Sequence, residues 1–156
     1  MSCSIVLAAT LAASSVGNVT APPETVSVST QTVDPAVLLA SIAQSADALS
    51  ARLGDWLSHN TWPTGDQLNG EAMDSLRQSL GKLSSDNMTG HLTLKAQNAD
   101  GDLACILRGI SEDIPLKLAA FEQADTTEEQ RLTLEELRHL LEDNAAVINA
   151  PSQPAV

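Results

Sequence analysis

Aromatic side chains are nearly missing from this sequence. Trp56, Trp62 and Phe121 are all it has, with no tyrosine, so aromatics make up 2% of the chain. Proteins that grip single-stranded nucleic acid stack bases on several exposed rings, and this supply is too thin for that. Basic residues are also scarce. Eight Lys and Arg stand against twenty Asp and Glu, a formal charge of −12, with no basic residue before Arg52 or after Arg138. Phosphate backbones and anionic lipid surfaces are held by Lys and Arg, so the composition argues against both as partners.

The two cysteines are Cys3 and Cys105. Removal of the head would leave Cys105 alone, so no disulfide framework follows, and a buried structural thiol is the favoured reading of it. No apolar run reaches the roughly 20 residues of a stable membrane span. Catalytic signatures are lacking too: there is no Gly-x-Ser-x-Gly elbow and no glycine-rich phosphate loop. The three histidines, His59, His91 and His139, fall in separate elements without metal-ligand spacing. Nothing argues for an enzyme, and no cofactor is implied.

What the chain does have is leucine-class residues at steps of three and four. Its 156 residues suit one domain with an aliphatic core. The fold class expected is all-α: an up-down antiparallel bundle of about four main helices over residues 34–150, with a disordered N-terminal arm and C-terminal tail.

Ahead of the bundle, Ile5 to Ala13 reads IVLAATLAA, the length of a signal-peptide core, and Val19-Thr20-Ala21 offers a small-x-small cleavage site. Residues 1–21 therefore read as a signal peptide, which favours a secreted or periplasmic protein. The missing basic residue before the run and Pro22 after the site keep the alternative open, a flexible apolar arm on a cytoplasmic protein. Residues 22–33, PPETVSVSTQTV, read as a solvated linker, and 151–156 as a disordered tail. Asn18 and Asn87 each begin a glycosylation sequon.

The first helix is expected from an Asp34 cap and Pro35 to about Ser58, with Leu38, Ile42, Leu49, Leu53 and Trp56 on one face. The second, capped by Asn69 or Asp66, carries Met73, Leu76, Leu80 and Leu83 and fades over Ser84 to Asn87. From Met88 to Asn98 a short helix or turn packed by Leu92 and Leu94 is expected. The third helix, capped by Asp102, aligns Leu103, Leu107, Ile110, Ile114, Leu118 and Phe121. Pro115 should kink it near Ser111, and Cys105, Gly109, Leu116 and Ala120 make a second apolar face that suggests a central helix. The fourth opens on a Thr126/Glu129 capping box. Glu142 and Asp143, unfavourable at the negative end of a helix dipole, either end it near Asn144 or await a cation or partner.

Few residues offer chemistry. Trp56, His59 and Trp62 cluster at the first interhelical corner, a candidate ligand or partner patch. The plainer reading puts Trp56 in the core and lets Trp62-Pro63 close the bundle end. Cys105, Gly109, Ala119 and Ala120 are small and flank the kink expected from Pro115, which suggests an interhelical cavity for a small apolar ligand with Trp56 lining its end. Glu136-Leu-Arg-His139 has the Glu-x-x-His spacing of di-iron bundles, but such sites need two copies and two further glutamates. Asn98, Asp100 and Asp102 alternate like the start of a calcium loop, which then fails at Leu103 and Gly109. The reading that follows is a non-enzymatic, exported helical-bundle module that binds a protein or itself. The alternatives are a carrier of a small apolar ligand and, remotely, a metal-binding bundle enzyme.

Overall fold

Asp34 starts the first helix as its composition demands. Its carboxylate accepts the Ala36 backbone N–H at 2.9 Å, and Pro35 occupies the first turn, where no donor is needed. In the computed structural model, which describes residues 34–150, α1 runs Pro35–His59. It stops at Asn60, whose left-handed backbone (φ 52°) turns the chain away. A short 3-10 turn, Gly65–Asn69, leads into α2, Glu71–Ala96. α3 spans Gly101–Gln123 and α4 spans Thr127–Asn149. The proposed signal peptide, the linker, the tail and Asn18 lie outside the described residues.

The four helices form an up-down antiparallel bundle. α1 packs on α2 and α4, α3 packs on the same two, and the pairs α1/α3 and α2/α4 face each other across the core. The core is aliphatic apart from Phe121 and, at the bundle's end, Trp62. Ile42, Leu53, Met73, Leu76, Leu80, Leu107, Ile114, Leu134, Leu137 and Leu141 are fully buried, with Phe121 among them.

Several local expectations need correction. α2 does not fade at Ser84. It continues to Ala96 because Asn87, Gly90, His91 and Leu94 keep the same inward face as Met73 to Leu83. The periodicity persists, but its residues cease to be apolar, which hides it from a hydrophobicity reading. Leu92, expected to pack, is 57% exposed. Gly70 sits at the N-cap of α2, after the 3-10 turn that takes up Asp66 and Asn69. Asp100 rather than Asp102 caps α3, its carboxylate accepting Leu103 N–H at 3.0 Å. α4 passes through Asn144 to Asn149, since Glu142 lies beside Arg138 and His139 on its own helix and so has its positive partners at hand. The Thr126/Glu129 capping box is present as expected.

Pro115 lies inside α3 and is exposed. A proline there has no N–H to give the carbonyl four residues back, that of Ser111. The Ser84 hydroxyl on α2 donates to that carbonyl at 2.8 Å. A neighbouring helix thus supplies the donor that the proline removed, and α3 stays unbroken.

Candidate functional site

The corner after α1 holds Trp56, His59 and Trp62, and the structure separates their roles. Trp62 and Pro63 are buried against the end of the bundle, and Trp62 is only 6% exposed. Trp56 packs against the core from the side, and the Arg52 guanidinium lies 4.9 Å from its ring centroid. Arg52 is held there by donating to the Ala72 carbonyl at 2.9 Å and approaching the Ser75 hydroxyl at 3.3 Å. His59 is exposed, with Nδ1 2.9 Å from the Asp55 carbonyl and 3.0 Å from the Ser58 hydroxyl. It ends a helix rather than joining the two rings in one pocket.

A cleft of about 530 Å³ opens at this corner, lined by Asn60, Thr61, Trp62, Thr64, Gln67 and Thr127. Hydroxyl and amide groups dominate it, and no nucleophile–base pair converges there, so the arrangement offers neutral hydrogen bonding and no acid–base chemistry. The Trp62 Nε1 is buried without a protein partner.

The second apolar face of α3 points to solvent. Cys105 is exposed, a Cβ added at Gly109 would meet nothing within 4 Å, and Leu116 and Ile106 are 66% and 42% exposed. The expectation of a central helix with neighbours on both sides is thereby overturned, as is the expectation that Cys105 is buried. Neither Cys105 nor Gly109 walls an interhelical cavity, and Pro115 faces outward with them.

Glu136 and His139 do not converge either. Glu136 pairs with Lys117 of α3 at 2.6 Å, and exposed His139 lies 3.1 Å from Glu142. Among the described residues no group of three or more His, Cys, Asp or Glu is placed to hold a metal ion. The basic side chains are largely committed within the chain: Arg77 to Glu122 and Asp74, Lys82 to Asp86, Arg131 to Glu128 and Glu135, Arg138 to Glu142. The Arg131 hydrogen bond holds the Glu128 carboxyl below the usual glutamate range, and Glu128 in turn raises the Arg131 guanidinium.

The most deeply buried polar groups are ones that the sequence did not point to as core residues. Asn87 on α2 and Asn144 on α4 are both 0% exposed and exchange side-chain amide hydrogen bonds of 3.0 and 2.9 Å. His91, 4% exposed, sets Nδ1 2.7 Å from the Ala104 carbonyl. The available signal was positional: these residues fall where the stripes of α2 and α4 point inward. The burial of Asn87 within a helix also closes its amide to glycosylation in the folded protein.

No helix among the described residues is long and apolar enough to cross a membrane. Comparison with family models, with curated proteins and with solved structures gives no match to this chain.

Proposed function

We propose that this chain is a non-enzymatic, exported interaction module, an acidic bundle that engages a protein partner or a second copy through the outer face of α3. One observation carries the reading: α3 has a buried apolar stripe and also presents Leu116, Ile106 and Cys105 to solvent around the open position of Gly109. An apolar side chain left in water beside a position that can admit another side chain suits a contact surface. The charge fits a protein partner better than an anionic polymer. The chain carries −12 overall, and its cations are drawn into ion pairs with its own carboxylates.

Size-exclusion chromatography with light scattering, joined to crosslinking in the native host, tests this. The expected result is a dimer or a discrete crosslinked partner for the wild type that Leu116→Glu abolishes with its melting midpoint unchanged. A strictly monomeric protein with no crosslinked partner rejects the reading. So does an interaction that Leu116→Glu leaves intact.

A further inference from the structure

We propose that the reciprocal amide pair of Asn87 and Asn144 is a register lock, which fixes how α2 and α4 are set against each other along the bundle axis. The need for one comes from the composition of the core. Leu53, Leu76, Leu80, Leu83, Leu134, Leu137 and Leu141 present similar stripes, and leucine faces pack nearly as well after a slip of one turn. α2 and α4 stand diagonally across the core, so their backbones do not pack directly and set little of this register.

The amide pair supplies direction where leucines supply none. Asn87 donates to Asn144 at 3.0 Å, and Asn144 returns a bond at 2.9 Å. The Asn87 side-chain nitrogen also donates to the Leu83 carbonyl at 2.9 Å, which pins its rotamer to its own helix. A slip of one turn, about 5.4 Å, separates the two amides, leaving Asn144 without its partner and Asn87 with only the Leu83 carbonyl of its own helix. A single buried asparagine at a core position of paired helices acts in this way, specifying register at a cost in stability.

Three full-length variants test the lock: Asn87→Leu, Asn144→Leu and the double. The readout is the distance distribution between spin labels on exposed sites of α2 and α4, measured by pulsed electron paramagnetic resonance. The wild type should give one narrow distribution. The double variant, freed of two polar groups, should fold cooperatively with a midpoint at or above wild type. Its distances should broaden or split by about one helical turn. Each single variant, which takes the cross-core partner from a buried amide, should melt lower than both. A single narrow distribution in the double variant overturns the proposal. Loss of cooperative folding in the double variant overturns it equally, because the pair would then be supplying stability rather than register.

Discussion

The two halves of α2 turn the same helix face inward and are built from different chemistry. From Met73 to Leu83 the inward positions are Met73, Leu76, Leu80 and Leu83, all essentially fully buried. From Ser84 onward they are Asn87, Gly90 and His91, with Leu94 closing a small separate cluster with Ala104 and Leu107. In the first half the partners are apolar side chains such as Leu53, Phe121 and Leu134. In the second half they are largely carbonyls and amides: the Ser111 carbonyl for Ser84, the Asn144 amide for Asn87 and the Ala104 carbonyl for His91. Apolar burial is strong and non-directional. Buried hydrogen bonds add little net stability and penalise every arrangement but one. Stability and uniqueness are thus unequally shared along a single helix.

Gly90 belongs to this division. A Cβ there would lie 3.0 Å from Leu107 Cδ1 and 3.2 Å from Ile42 Cδ1, so the glycine lets α2 come close to both neighbours. On the α3 side, the same stretch of α2 sets His91 Nδ1 2.7 Å from the Ala104 carbonyl.

The comparison breaks first if the halves prove energetically equal. Leu80→Ala should destabilise by roughly 4–5 kcal/mol and Leu94→Ala by roughly 2–3 kcal/mol, the upper and lower parts of the range for buried leucine truncation. Urea denaturation of both variants measures this. Leu94→Ala costing as much as Leu80→Ala would erase the energetic contrast.

A second test concerns the donor that α2 lends to α3. Ser84→Ala should cost about 1–3 kcal/mol by stranding the Ser111 carbonyl. Pro115→Ala restores a backbone donor to that carbonyl and should stabilise the protein by up to ~3 kcal/mol, the interior-proline scale. Combined, the Ser84→Ala penalty should shrink by about 1 kcal/mol, which a double-mutant cycle reads directly. Equal penalties in both backgrounds would show that Ser84 does not compensate for the proline.

The smallest effect lies on the exposed side of α4, outside either half of the core. Glu128 titrates below the usual glutamate range because Arg131 holds its charged form. Its contribution is therefore complete above the ordinary glutamate value and is lost as pH falls from there through its own lower value. Arg131→Gln should return Glu128 toward the ordinary range, as carboxyl chemical shifts in an acid titration would reveal. It should also slightly reduce stability at neutral pH relative to pH 3. An unmoved Glu128 titration would show the ion pair to be solvent-screened to insignificance.

Much of the fold was legible because it rests on local signals. Asp34-Pro35 and the Thr126/Glu129 box fix helix starts through bonds spanning two or three residues. The apolar stripes of α1 and α4 announce the buried faces. The candidate site was far less legible. Trp56, His59 and Trp62 are neighbours in sequence, yet the helix end at Asn60 sends them to different surroundings. Asn87 and Asn144 are 57 positions apart and meet only because α2 and α4 face each other.

The sequence by itself determined four amphipathic helices, the start of α1 and of α4, an aliphatic core and an acidic composition, since each of these depends on composition or on residues within a turn of one another. Only the tertiary structure decided which of the two apolar faces of α3 is buried, which donor rescues the carbonyl that Pro115 leaves unpaired, and that Asn87 belongs with Asn144. These are pairings between distant segments. A helix stripe states that a face must be covered and is silent about what covers it, whereas a buried polar group accepts only the partner whose atoms arrive at hydrogen-bond distance.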